Sequence, residues 1–166
     1  VIVDAIDIEE LFPEDLDIEC VAEYLAIKKS ENYIKEIEDN SILVTADTIV
    51  VVDGVILGKP KNEQEAKDFL RLLSYKSHKV ITGCCLRNNK NITKHFSQET
   101  IVKFKELTEE EIDYYVNKFK PFDKAGAYGI QEWIGTMGIE DIQGDYYNVV
   151  GFPCNRFFEL AKEIME

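Results

Sequence analysis

The chain has 166 residues, 45% of them hydrophobic, and a formal net charge of −13 from 32 acids against 19 bases. Length and apolar content suit a single domain, 1–166, with its own core, and exclude a disordered chain. No apolar run approaches the ~20 residues of a bilayer-spanning helix, and so acidic a surface repels phosphate backbones, which sets aside bulk nucleic-acid binding but not a small phosphate ligand in a local basic pocket.

Val1–Ile6 has the pattern of a short strand. Residues 17–38 carry Val21, Leu25, Ile34 and Ile37 as an apolar stripe among charges, which predicts a helix. Residues 42–52 form a strand with apolar residues on both faces, hence a central one. Asp53-Gly54 then joins it to Val55–Gly58 in a two-residue hairpin. Asn62-x-x-Glu65 is a capping box that opens a helix to Ser74. Residues 78–86 and 92–104 are two strands joined around Asn88–Asn91, and Thr108-x-x-Glu111 caps a helix ending near Phe119. Pro121–Tyr128 is a loop, followed by short strands near Gly129–Trp133 and Asp141–Val150, and a last helix runs from Pro153 to Glu166. Helices that alternate with strands and hairpins predict an α/β fold with a mixed sheet.

Cys20, Cys84, Cys85 and Cys154 form no CxxC pair and have no histidine at zinc spacing. The expectation is free thiols in a reducing cytosol, with Cys84 and Cys85 on opposite faces of one strand. Asp47 is the unusual residue. It shares a face with Leu43, Thr45, Ile49 and Val51, where a carboxylate is costly unless it is paired, bound to a metal or wet. If Asp53 and Gly54 are the loop, Val52 opposes Val55 and Thr48 opposes Lys59, which brings an acid and a base to one end of the hairpin. Such a couple suits a metal-and-phosphate site, and equally a structural ion pair or an acid that reaches solvent.

Several motifs stand in order along nearly the whole chain. They are ADTIV, DG and ILGKP within residues 45–60, His78-x-Val80-x-Thr82-Gly83, Asp123-Lys124-Ala125-Gly126-Ala127-Tyr128-Gly129-Ile130-Gln131, and Gly144-Asp145-Tyr146-Tyr147-Asn148-Val149-Val150-Gly151. Together they resemble the Maf family of nucleotide pyrophosphatases. The resemblance implies two α/β lobes around a cleft, similar to the inosine triphosphatase architecture, with a twisted mixed sheet and flanking helices. It implies metal-assisted hydrolysis of a nucleoside triphosphate to the monophosphate and pyrophosphate. By position, Asp47 falls on the general base and Thr48 on a position linked to base specificity. Lys59 falls on the phosphate-facing lysine of the GKP motif. Asp7-Ile8-Glu9-Glu10 resembles a DIDE segment, which makes Glu10 a metal ligand beside Asp47. Leu25-Ala26-x-x-Lys29 makes Lys29 a phosphate contact, and Lys124 of the DKAG loop can reach a phosphate or pair with Asp123. Gln131 falls on the glutamine of the branch acting on dTTP and UTP.

Carboxylate oxygens suit Mg²⁺ or Mn²⁺, and lysines would neutralise the remaining phosphate charge. Other motif residues have structural readings: His78 and Trp133 as core, Asp145 and Asn148 as turn-shapers, Lys28 as a solvated helix residue. Three positions depart from the resembled pattern: Lys120 where glutamate is common, Glu132 where glycine is common, and Tyr75 in place of the glycine of an LSG segment. The family's opening SxSPRR loop has no counterpart from Val1 onward, and the expectation is a preceding strand, arginine-bearing loop and helix. The implied protein is a cytoplasmic enzyme acting on dTTP, UTP or modified pyrimidine triphosphates, with homodimerisation open. The rival is a non-catalytic nucleotide-sensing or cell-division-related binding protein, which would have no need of a base at Asp47.

Overall fold

The computed structural model describes Val3, Glu9 and residues 11–165; the strand expected at Val1–Ile6 and the placement of Glu10 lie outside the described residues. The fold is α/β, with α1 (Ile18–Glu31), β1 (Ile42–Val52), β2 (Val55–Leu57), α2 (Glu63–Leu73), β3 (Ser77–Asn88), β4 (Thr93–Phe104), α3 (Glu109–Phe119), α4 (Trp133–Met137), β5 (Ile139–Gln143), α5 (Tyr146–Val150) and α6 (Cys154–Met165). Among the described residues the strands form one five-stranded sheet in the order β2-β1-β3-β4-β5. Among the described residues no helix is long and apolar enough to cross a membrane.

The β1–β2 hairpin follows from its turn. Asp53 and Gly54 both take positive φ, 49° and 75°, the pair of values that a tight hairpin turn matching strand twist requires. Val52 therefore faces Val55, Val51 faces Ile56 and Val50 faces Leu57. Pairing ends there, so the expected Thr48–Lys59 pair is not part of the ladder. The carbonyl of Gly58 accepts instead from the Gly126 amide at 3.1 Å, which turns the chain away from β1.

The chain divides into two compact units. The first comprises Val1–Asp47, Thr82–Gln98 and Pro153–Glu166. Here α1 buries Val21, Ala22, Leu25 and Ala26 against β3, and the approach is so close that a Cβ on Gly83 would lie 2.2 Å from the Glu23 amide nitrogen. Only glycine fits beneath this helix. The helix ends at Glu31, not at residue 38, and side chains satisfy the carbonyls at and just past its end. Arg87 Nη2 donates to the carbonyl oxygens of Ser30 at 2.8 Å and Tyr33 at 3.3 Å, and Asn32 Nδ2 donates to that of Lys28 at 2.8 Å. Ile34, expected on the apolar stripe, is 96% exposed. Cys84 and Cys85 are both buried, and all four cysteines are free; burial pushes the Cys84 thiol up to about 12.

The second unit comprises Thr48–Ile81 and Glu99–Phe152. Its core gathers Val50, Val52 and Leu57 of the hairpin with Val80, Val102 and Phe104 of β3 and β4. Helix α2 adds Ala66, Leu70 and Leu73, an i, i+4, i+7 face whose leucines each contribute about 2 kcal/mol by burial. Helix α3 adds Ile112, Tyr115 and Val116. Asn62 caps α2 by accepting from the Glu65 amide, but Glu65 reaches back to the Lys61 amide, so the expected box is not reciprocal. The box at Thr108 and Glu111 is complete.

Two expected strands differ. Residues 129–132 form a turn leading into α4: the Glu132 amide donates to the Gly129 carbonyl and the Gly135 amide to that of Glu132, both at 3.0 Å, local bonds that a strand does not make. Pairing of β5 with β4 runs from Phe104↔Ile139 to Ile101↔Gln143, after which Asp145 caps α5 by accepting from the Tyr147 amide at 2.8 Å. Asp145 is thus a turn-shaper. Asn148 is buried and donates to Val80 O at 3.1 Å and Thr100 Oγ1 at 3.0 Å.

Candidate active site

Asp47 sits in β1 with its side chain only 12% exposed, and Lys29, 18% exposed, forms an ion pair with its Oδ1. The lysine comes from the last turn of α1 and also donates to the Ala46 carbonyl at 3.4 Å. The strand and helix are locked together two residues earlier, where Thr45 Oγ1 donates to the Ala26 carbonyl at 2.6 Å. So the acid in an apolar strand is paired, and its partner is Lys29; the sequence had set Lys59 against it. Lys28, half-exposed, is also tied down: its ammonium donates to the carbonyls of Glu9 and Leu11, both at 3.1 Å. Those carbonyls flank Glu10, whose own position lies outside the described residues.

The GKP and DKAG segments meet in the second unit. Gly126 takes φ 69°, and a Cβ there would approach the Val50 side chain to 3.0 Å, so this loop lies hard against β1. The Gly58–Gly126 hydrogen bond brings Lys59 next to Asp123. Hydrogen bonding from Lys124, followed by the charges of Lys124 and Lys59, holds the Asp123 carboxyl below its usual range. Lys124 Nζ lies 2.9 Å from Asp123 Oδ1 and 3.4 Å from Glu132 Oε1. Burial works against the Lys124 charge, but its two carboxylate partners outweigh this and hold its pKa above the ordinary lysine value.

Two further contacts fix this loop. His78 Nε2 and the Tyr128 hydroxyl share a hydrogen bond of 2.6 Å, in an edge-on cluster with Phe104. Tyr115 donates to Glu132 and accepts from the Gly129 amide at 3.0 Å. Thr48 is half-buried in β1, and Gln131 is exposed in the turn before α4. Trp133 is partly buried against the core.

The structure therefore assembles Lys29 with Asp47 in one unit, and Lys59, Asp123, Lys124 and Glu132 in the other. Sequence reasoning missed Glu132 as a site residue; its signal was there, as a charged residue next to Gln131 where the resembled pattern has glycine. Chemically, Asp47 can accept a proton or offer oxygen to a hard cation, and the lysines can bind phosphate oxygens. Among the described residues no three His, Cys, Asp or Glu side chains gather as a metal cluster.

Comparison with known proteins agrees with these motifs. The family model described as Maf-like protein matches residues 1–164. A dTTP/UTP pyrophosphatase of Christiangramia forsetii is 46% identical over 163 residues, 98% of this chain and 83% of that protein. Proteins of the same name from Porphyromonas gingivalis and Phocaeicola vulgatus are each 46% identical, over 96% and 95% of this chain and 81% of theirs. With the family match reaching from the first residues through the DKAG loop to the last helix, the chain belongs to the Maf-like protein family.

Proposed function

We propose that this protein is a nucleoside triphosphate pyrophosphatase that converts dTTP or UTP to the monophosphate and pyrophosphate. The observation that carries this reading is the 46% identity, over 98% of the chain, to a protein named dTTP/UTP pyrophosphatase. The geometry suits it. A water oxygen attacks the α-phosphorus, the bond from that phosphorus to the bridging oxygen breaks, and pyrophosphate leaves. Asp47 accepts the proton of the attacking water. Held against Lys29 in a rigid strand, it keeps one direction towards that water, as a general base must.

Lys59 and Lys124 bind phosphate oxygens, and Lys59 offsets the charge that grows on the leaving pyrophosphate. Lys29, already on Asp47, keeps the base in place and adds positive charge near the reacting phosphate. Thr48 and Gln131 read the base: an amide offers both a donor and an acceptor, which the edge of uracil or thymine requires. A divalent cation, Mg²⁺ or Mn²⁺, would be held by Asp47 and Glu10 and would supply neutralisation of phosphate charge and a more acidic water. The substrate is a free nucleotide, since a net charge of −13 opposes a long polyanion. Free thiols, with Cys84 and Cys85 buried, suit the cytoplasm.

A panel of nucleoside triphosphates, assayed for pyrophosphate release with Mg²⁺ and with Mn²⁺, tests the reading, with Asp47→Asn run beside the natural protein. The expected result is turnover of dTTP and UTP above the purine nucleotides, and a fall in kcat of roughly 10²–10⁴ in the variant, the weight of a general base. Near-normal kcat in Asp47→Asn, with the fold intact, would overturn the mechanism.

A further inference from the structure

Lys124 is held more firmly than a phosphate-binding lysine on a loop needs to be for folding alone. Its side chain is 25% exposed, and its ammonium lies between Asp123 and Glu132. The stem runs over Gly129, where a Cβ would come within 3.0 Å of Lys124 Cε and 3.2 Å of Glu132 Cδ. Glu132 stands at the N-cap of α4, yet its side chain makes no capping bond there. Both of its oxygens are used elsewhere: Oε1 on Lys124 and Oε2 on the Tyr115 hydroxyl. Tyr115 is fully buried, stacks on Phe119 with ring centroids 5.1 Å apart, and takes the Gly129 amide as a second partner. A chain of contacts thus runs from the core of α3 through one carboxylate to one ammonium.

We infer that Glu132 is the positioning residue for Lys124: buried Tyr115 fixes the carboxylate, and the carboxylate fixes the ammonium beside Asp123. The two carboxylates around Lys124 differ in a way that matters. Asp123 is 78% exposed at its side chain and has no such tether, so it swings out to water when phosphate oxygens take its place. Glu132, 20% exposed and tied to Tyr115, stays. Lys124 then meets the triphosphate already oriented, and less side-chain freedom is lost on binding. Burial and the Glu132 carboxylate both push the Tyr115 phenol well above its usual range, so it remains a neutral donor at any working pH. The inference rests on the pyrophosphatase reading and adds to it the device that sets one phosphate-binding group.

The test is a double-mutant cycle on the full chain, with UTP and Mg²⁺, reading kcat and KM separately for Glu132→Ala, Glu132→Gln, Lys124→Ala and the pair Glu132→Ala with Lys124→Ala. Removing the carboxylate is expected to raise KM roughly tenfold, the weight of one charge-assisted hydrogen bond, with kcat changed less than about twofold. Glu132→Gln keeps one acceptor oxygen, which can serve Lys124 while its NH2 donates to the Tyr115 hydroxyl oxygen, and should recover part of that loss. In the Lys124→Ala background the Glu132→Ala change should cost nothing more, because the group it positions is gone. Losses that simply add in the pair, or an unchanged KM in Glu132→Ala, would overturn the inference while natural-protein turnover leaves the parent reading standing. No pyrophosphate release by the natural protein would overturn both.

Discussion

Acid should weaken this fold through His78, and the size of the effect follows from where the ring sits. His78 is 2% exposed on β3, with Phe104 and Tyr128 packed edge-on at centroid distances of 5.1 and 5.4 Å. Its Nε2 bonds the Tyr128 hydroxyl, and its Nδ1 has no partner. Burial pushes its pKa down to about 4 from 6.5, so the folded protein holds the neutral ring. Above pH 6.5 both folded and unfolded chains carry it neutral and the term is constant. As pH falls from 6.5 to about 4 the unfolded chain takes up a proton that the folded chain refuses, and stability drops. The gap between those two values corresponds to about 3 kcal/mol in all, a large share of an ordinary domain's stability. Below pH 4 both states are protonated and the loss levels off. Urea unfolding of the natural protein and of His78→Gln, at steps from pH 7.5 to 4, isolates this term. Other carboxylates titrate equally in both, so the stability difference between the two proteins should shift by about 3 kcal/mol in favour of the variant across the window. A difference that stays flat with pH would refute the reasoning and mean that the folded ring protonates as freely as the unfolded one. The effect reaches the site, because Tyr128 belongs to the loop that carries Lys124 and Gln131.

Lys59→Ala should lower kcat/KM for UTP by at least roughly tenfold in the pyrophosphate-release assay, through loss of one charged phosphate contact; an unchanged value would reduce Lys59 to a surface partner of Asp123. Replacing Gln131 with alanine should change the ranking among triphosphates more than the best rate, and equal loss on every substrate would point instead to phosphate binding or folding. Tyr75→Gly should raise the urea midpoint by an amount worth up to about 1 kcal/mol, since Tyr75 holds φ 59° while 76% exposed, and the relief of left-handed strain exceeds the added freedom of the unfolded glycine; a lowered midpoint would show that the ring's contacts outweigh the strain.

What the sequence determined by itself is what neighbouring residues decide among themselves. Asp53-Gly54 set the hairpin and its register because both residues tolerate positive φ. The Thr108 box set the start of α3 because its partners are three residues apart. The motifs around Asp47, Lys59 and Gln131 named the family because their order along the chain is itself the signal. What only the tertiary structure decided are pairings across the chain. Asp47 finds Lys29, 18 residues earlier, because Thr45 and Ala26 fasten β1 to α1. Arg87, 57 residues from Ser30, donates to the carbonyls at the end of α1, a partner that an apolar stripe cannot show. Gly129–Trp133 looked like a strand by composition, yet the chain turns there and leads into α4, with Ile130 and Ile134 both buried in the core. Glu132 looked like a mere departure from pattern until Tyr115 and Lys124 met it. Backbone preference and capping act over a few residues and are written locally; the partner of a buried charge is chosen by packing, which no local stretch of the chain contains.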